Sequence, residues 1–579
     1  MKHIYKLGII FFALCATISC MDLDINKNPD NLSSTSGSIA YRVPAIQFWM
    51  GQSYQTAGFF GALIDQQITL SNRGDRYGSL AEWIGQDRSA STYPYQAFLV
   101  GVGGTLPDLY VMAEKEGAYH YLGVVKLFRA LGFMAMVDVS GEMPYTDALG
   151  PDINPKYDDG KTIFEGCLKE LDEAIELFSK SQEAGATPLK SGDSWNNGDV
   201  DKWIKMCYGL KARWLNNLSK KTSLYDPTAI LDALTKAPQS NADNTVINHE
   251  NVQGNNVDNM WGDPVWMSYT WIWLSNWSRI YYVTKWYAEL LTDFDGKGLI
   301  DPRADKLIPS AQVGGATKYW VRTPGVDMRT DIRLGTNWVS PATYDPATQT
   351  WVVADKRDSA VVSLQASSVA TSFRDAATDG TIINSGTFYT RPESPTHFLC
   401  YHEMCFIKAE VLFRQNRQTE AYQAYIDGIK AHMELMNAKL SEFGTSNNIA
   451  KTTMTQADIN TYLTSAAVGT ASDLTLGKIM MQKFIAMSYS LQNWNDMRRM
   501  DYDPAIYYGW AEPYERTSDA NDKRWIPAGK KFRRLGYVSH EKNYNEGKLA
   551  DSHPHALLDD IFSFPVWWDY PTDDYKNAN

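Results

Sequence analysis

Along several long stretches of the chain, apolar residues recur at spacings of three and four, the period of a helix with one buried face. In "KTIFEGCLKELDEAIELFSK", Phe164, Leu168, Leu171, Ile175 and Phe178 form one stripe, and Thr162 with Glu165 has the spacing of a capping box. In "GDVDKWIKMCYGLKARWLNNLSKK", Trp203, Cys207, Leu210, Trp214 and Leu218 do the same. "HEMCFIKAEVLFRQNRQTEAYQAYIDGIKAHMELM" reads as two helices broken near residues 415–418, with small Ala409 and Ala421 allowing close packing. "LTLGKIMMQKFIAMSYSLQNWNDMRRM" reads as one further long helix. Helix pairs with short turns and small residues at their crossings resemble tetratricopeptide units of roughly 34 residues.

Between these blocks the pattern fails. Residues 239–259 are rich in Asn and read as solvated loop, and residues 310–395 read as loops with two or three short strands around runs such as "TWVVAD". The last fifty residues read as ordered loop packed on helices. The expected fold is therefore an all-α scaffold with large irregular loops and strand below about one-fifth of the chain, far from the average mix.

The ends change the picture. Lys2 and Lys6 precede the apolar run "LGIIFFALCATIS", which is too short for a permanent span. Ser19 directly before Cys20 resembles a bacterial lipobox. The expectation is a signal peptide over residues 1–19, lipid on Cys20 and a polar tether over 20–38, with order beginning near Ile39; the length by itself exceeds the usual single core and points to two domains. Cleavage would leave 579 − 19 = 560 residues and, without the two lysines, move the charge from −12 to −14. That charge repels polyanions and excludes nucleic acid as a partner. The membrane is reached through the N-terminal lipid only. Cys167, Cys207, Cys400 and Cys405 form no C-x-x-C pair and read as buried thiols, with a disulfide in an oxidising compartment as the alternative.

Catalytic and metal motifs fail one by one. His402-Glu403 opens an H-E-x-x-H pattern, but Phe406 stands where the second histidine belongs. "GVGGTL" at residues 101–106 lacks the last dinucleotide glycine. "DFDGKGLIDPRA" half-matches a calcium loop, with Lys297 at a ligand position and Ala304 in place of the bidentate Glu. It reads as an Asp/Gly turn after a helix. No catalytic residue, metal or cofactor is expected.

The aromatic content is concentrated. "MWGDPVWMSYTWIWLSNWSRIYYVTKWY", residues 260–287, places Trp266, Trp273, Trp277 and Tyr281 at helical spacing, which predicts a buried stripe. Pro264 leaves Trp261 in a loop. Trp261 and Trp266, beside the Asn-rich loop, are candidates to stack on a pyranose ring. "SNRGDRYGSLAEWIGQDR" supplies a second candidate set: Arg73, Asp75, Arg76, Tyr77 and Trp83 in a Gly-punctuated loop, where Arg and carboxylate suit vicinal hydroxyls. "KYWVRTPG", with Trp320 and Arg322, is a third. Trp83 and Trp261 stand first among these.

An ordered set of blocks then carries a resemblance. "PYTDAL", "PKYDDGKTIFEGCLKELDEAIELF", "NNGDVDKWIKMCYGLKARWLNNLS", "DPRADK", "HEMCFIKAEVLFR", "EAYQAYIDGIKA" and "QKFIAMSYSLQNWNDMRRMDYDP" follow one another behind the lipobox. The set resembles the SusD-like (SusD/RagB) outer-membrane lipoproteins of Bacteroidetes. The resemblance implies a single domain over 39–579, a superhelix of four tetratricopeptide-like helix pairs, no catalysis and a place on the cell exterior. It also implies a partner, a SusC-like TonB-dependent transporter barrel, to which a captured oligosaccharide or peptide is delivered. A glycan-degrading enzyme on an all-helical scaffold is the alternative from another class.

Overall fold

The structure is a computed structural model. It describes residues 37–70, 78–83, 88–250, 281–308, 388–390, 394–443, 452–513, 526–527 and 529–578, with the strand segments 310–313, 316–319, 343–345 and 350–352. The Arg73, Asp75, Arg76, Tyr77, Trp261, Trp266, Trp320 and Arg322 candidates, the Trp273 and Trp277 stripe positions and the lipidation candidate Cys20 lie outside the described residues.

Twelve helices of at least eight residues carry the argument among the described residues: α1 (Val43–Ile64), α2 (Leu106–Glu116), α3 (Tyr119–Ser140), α4 (Gly160–Phe178), α5 (Val200–Asn217), α6 (Pro227–Lys236), α7 (Lys285–Thr292), α8 (Tyr401–Arg414), α9 (Gln418–Leu440), α10 (Gln456–Leu463), α11 (Leu476–Ala486) and α12 (Leu491–Arg499). The main body is a succession of helix pairs. α3 packs on α4, α5 on α6, α8 on α9 and α11 on α12. Each pair also packs on the next, and α12 closes back on α1. α1 and α3 are apolar on nearly every face because both are surrounded. Where α12 is entered, the chain crosses α1 so closely that a Cβ on Gly58 would stand 2.3 Å from the Tyr489 carbonyl oxygen. One core cluster contains both Ile39 and Tyr575.

Strands are few and short. β1 (Ile68–Leu70) pairs antiparallel with β3 (Tyr281–Val283), and β2 (Thr245–Ile247) with β8 (Thr396–Leu399). Two hairpins, β4 (Ser310–Val313) with β5 (Ala316–Tyr319) and β6 (Thr343–Asp345) with β7 (Thr350–Val352), lie in the stretch read as loop with short strands. No described helix is long and apolar enough to cross a membrane.

Local sequence rules place most helix ends. Asp159, Asp199, Asp226, Thr284, Thr455, Thr475 and Ser490 each cap a helix N-terminus through a side-chain oxygen. The break between α8 and α9 falls at residues 415–417, where Asn416 takes φ 59°, a left-handed value Asn tolerates. Ala409 and Ala421 are fully buried there, and Phe406 lies against Gly428.

Three readings are corrected. The cap of α4 is Asp159, which accepts from the Thr162 amide at 2.8 Å, so Thr162 lies inside the helix and no Thr162–Glu165 box forms. The apolar run read as one long helix over "LTLGKIMMQKFIAMSYSLQNWNDMRRM" is two, α11 and α12. The chain turns at Tyr489, φ 65°, and Ser490 caps the second helix. Tyr281 does not continue a helical stripe; it sits on β3 opposite Leu70. After α7, the "DFDGKG" segment is the expected turn: Asp293 Oδ1 accepts from the Gly298 amide at 2.5 Å, and Asp301 is occupied by Arg303. Cys167, Cys207, Cys400 and Cys405 are buried free thiols, and burial pushes Cys405 up to about 12.

Candidate functional site

Two of the segments that carry candidate ligand residues share an anchor. Segment 71–77 leaves from Leu70 and segment 251–280 rejoins at Tyr281, and these two residues are register partners in the β1–β3 pair. The far end of the 309–387 segment rejoins at Phe388, beside the short helix Ala304–Leu307. Tyr489 ties these anchors together: its amide donates to Gln67 Oε1 at 2.8 Å just before β1, and its ring meets Tyr389 at 5.5 Å.

Between the anchors is a small polar cleft of about 30 Å³, one water's worth of space, lined by Tyr54, Gln55, Tyr389, Thr396, His397 and Tyr489 among others. α1 presents Tyr54 and Gln55, β8 presents Thr396 and His397, and the α11–α12 turn presents Tyr489. Tyr54 OH lies 3.2 Å from Ser490 Oγ, and its ring lies 4.3 Å from Phe398. Gln55 Nε2 donates to Thr396 Oγ1, which also bonds His249 Nε2 at 2.8 Å. At one water's volume the cleft itself admits no sugar; its amide, hydroxyl and imidazole groups form a polar floor between aromatic rings.

Beneath the cleft runs a buried relay. Tyr389 OH is 2.9 Å from His432 Nε2, and His432 Nδ1 is 3.1 Å from Arg303 Nη1. Arginine has only donors, so His432 Nδ1 accepts and its proton sits on Nε2, pointing to Tyr389. Arg303 itself, fully buried, forks onto Asp301 and donates to Gln482 Oε1 at 2.6 Å. His402 and His397 complete the cluster, with ring centroids 5.2 Å from His432 to His402 and 6.0 Å from His402 to His397. Desolvation holds His397 down at about 4. Desolvation, then neighbouring Arg303 and imidazoles, holds His432 and His402 well below the ordinary histidine value. All three are neutral at pH 7.

Trp83 is corrected. It was expected on a loop surface, but it is 3% exposed and has no face to offer a ring. Its φ of 56° turns the side chain inward. Nε1 donates to the Ile64 carbonyl at 2.8 Å, and the ring meets Tyr502 at 5.0 Å and Trp510 at 5.5 Å. Trp286 at the end of the tryptophan tract is also core, edge-on to Phe484 at 5.0 Å. Gln55, His249, Tyr389, Thr396 and His397 were missed by sequence reasoning because they come from three distant stretches. The one signal available was histidine: four of the nine in the chain, His249, His397, His402 and His432, meet here. His402-Glu403 serves two structures: Glu403 forks onto buried Arg213, at 2.6 Å on both oxygens, while His402 faces the relay.

The comparisons with known proteins agree with this architecture. No curated protein matches the sequence. A SusD/RagB family protein from Bacteroides thetaiotaomicron has a similar structure, with TM-score 0.64 at 19% identity over 92% of this chain and 99% of that one. A Bacteroidetes SusD-like protein gives TM-score 0.66 at 17% identity, over 92% and 100%. A chitin-binding protein gives 0.63 at 18%, over 92% and 100%. At such identities these likenesses establish the fold. The SusD-like_2 family model, described as starch-binding and associating with the outer membrane, matches residues 104–308 and 296–527, most of the chain. By that match, together with the paired-helix body, the chain belongs to the SusD-like family of starch-binding proteins that associate with the outer membrane.

Proposed function

We propose that this protein is a cell-surface lipoprotein, anchored through Cys20, that captures an oligosaccharide and delivers it to a SusC-like TonB-dependent transporter barrel without itself catalysing a reaction. The observation that carries the reading is a shared anchor: the segment bearing Arg73, Asp75, Arg76 and Tyr77 leaves from Leu70, three residues after Gln67, and the one bearing Trp261 and Trp266 rejoins at Tyr281, the register partner of Leu70; Gln67 bonds Tyr489 at the polar, aromatic-lined cleft. A helical body carrying long connecting segments is a plan for binding.

Affinity purification from solubilised outer membranes tests it. The expected result is co-purification of a barrel-forming transporter and of a bound glycan. A co-purified peptide in place of the glycan reverses the ligand class, and recovery without any barrel rejects the partner. Cys20→Ala should release the protein from membranes; retention after a high-salt wash would reject the anchor. Trp261→Ala should weaken glycan binding about tenfold, the effect of uncovering about 60 Å² of apolar contact at roughly 25 cal/mol per Å².

A further inference from the structure

Away from that cleft, a larger one opens between residues 299–306, which follow α7, and residues 452–465, which contain α10. Its volume is about 560 Å³, within the usual range for small-ligand sites. One lip is apolar and exposed: Leu299 is 38% and Ile300 51% exposed. Two adjacent branched aliphatic side chains left open to water at the mouth of a cleft are an unpaired apolar surface. The opposite wall is hydroxyl and carboxylate: Thr452, Thr455, Asp458 and Tyr462, with Asp305 and Lys306 at the base.

Both walls are fixed in advance. The Asp301 amide donates to the Leu291 carbonyl at 2.8 Å, and the Asp301 carboxylate is clamped by Arg303, which holds the apolar lip. Across the cleft, Asn437 on α9 makes two bonds to the Met454 backbone, at 2.9 and 2.8 Å. Lys306, 4% exposed, points its ammonium at Asp305 Oδ1 (2.8 Å) and Thr452 Oγ1 (3.4 Å). A preorganised wall loses little entropy on binding.

We propose that this cleft is a second binding site, taking a short carbohydrate. A sugar has an apolar C–H face for Leu299 and Ile300 and a rim of hydroxyls that donate to Asp305 and Asp458 and accept from Thr452 and Lys306, while Thr455 donates its hydroxyl to Asp458 Oδ2 at 2.6 Å and holds that carboxylate in place. An anionic ligand is disfavoured by Asp305 and Asp458, beside an Asp301 held by Arg303, against one lysine that is already paired. The site stands on its own residues and does not rest on ligand capture at the loop-bearing cleft. The two are nonetheless joined beneath the surface, because Asp301 and Tyr462 line this cleft and connect through Arg303, Gln482 and His432 to Tyr389.

The test is methyl NMR on the full chain, labelled at Ile, Leu and Met, titrated to millimolar concentrations of maltotriose, triacetylchitotriose and, as a peptide probe, trialanine. Saturable shifts of the Leu299, Ile300 and Met454 methyls are expected with at least one trisaccharide. Ile300→Ser, a surface change, should weaken that binding about tenfold by removing the apolar lip. Asp458→Asn should weaken it several-fold, and a thermal melt confirms that both variants stay folded. Gln55→Ala, in the loop-bearing cleft, should leave the shifts in place. Absence of saturable shifts with every probe overturns the site. Shifts from trialanine alone overturn the carbohydrate assignment. Shifts abolished by Gln55→Ala overturn the independence of the two clefts, and glycan capture by the whole protein with no shift here separates failure of this site from failure of the proposed function.

Discussion

Helix α8 separates two buried polar clusters built on opposite principles. On one side Glu410 is forked by Arg499, both contacts 2.5 Å, and Arg499 also donates to Asp496 at 2.8 Å. Burial alone would raise the Glu410 carboxyl, but Arg499 and Arg414 more than offset it and hold the group far below the usual carboxylate range. Nearby, Glu403 and Arg213 repeat the arrangement. On the other side Arg303 and Asp301 form one pair, and around it stand three neutral imidazoles. The first cluster matches each charge and locks helices together. The second has room for a proton only at a cost, and it lies under the candidate site. The same burial therefore makes one region insensitive to pH near neutrality and the other sensitive to it.

The largest expected effect breaks the matched cluster. Arg499→Ala removes the fork on buried Glu410, leaving it the partly exposed Arg414 as its remaining cation, and takes one of two cations from Asp496, which keeps Lys483 at 2.8 Å; it should cost about 3 kcal/mol of stability. Denaturant unfolding reads this directly; a loss below about 1 kcal/mol would show that the fork is not what holds α8 to α12. Trp83→Ala ranks beside it, at about 3–5 kcal/mol, because it empties a filled core position and strands the Ile64 carbonyl. A variant with unchanged melting but weakened glycan binding would restore Trp83 to the ligand site and undo the correction.

The smaller effect sharpens the contrast. His402 is 1% exposed, and neither ring nitrogen has a hydrogen-bond partner among the described residues. At pH 8, His402→Leu should be neutral or stabilising by up to about 1 kcal/mol, since it removes an unsatisfied buried polar group. The gap should widen in acid. The folded His402 pKa lies below the unfolded value of about 6.5, so the unfolded chain takes up a proton that the folded chain refuses. Wild-type stability relative to the variant therefore falls as pH drops below about 6.5, by about 1.4 kcal/mol per pH unit until the folded pKa is reached. Buried Asp138, raised to about 6 mainly by desolvation, contributes with the opposite sign, but it is common to both proteins and cancels in the difference. Unfolding curves for the pair at pH 8 and pH 5 check this; parallel behaviour would mean that His402 is protonated or solvated in the fold.

Much of the scaffold was legible because it is written locally. The Trp203, Cys207, Leu210, Trp214 and Leu218 stripe is buried throughout, and the break before α9 falls where Asn416 permits it. In α4 the stripe was right at Phe164, Leu171 and Phe178 and half-right at Leu168 and Ile175, which are only partly buried, because the helix face is set by its neighbours α3 and α5. The candidate site was legible only as a list of aromatic, arginine-bearing segments. The groups that line its described floor, Gln55, His397 and Tyr489, are ordinary in their own surroundings and acquire meaning from each other.

The sequence alone determined the helical class, the apolar stripe of α5, the burial of the four thiols and the ordered blocks that mark the family. These depend on residues within a turn or two of each other, or on their order along the chain. Only the tertiary structure decided that "LTLGKIMMQKFIAMSYSLQNWNDMRRM" turns at Tyr489, that Trp83 faces inward, and that four histidines from three stretches share one cluster. An uninterrupted apolar period cannot report a turn imposed by α1 packing against Tyr489, and a tryptophan after a glycine-punctuated loop reads as exposed until Ile64, Tyr502 and Trp510 close over it. Periodicity records which face of a segment is buried; which distant side chains meet that face is fixed only when the long-range contacts form.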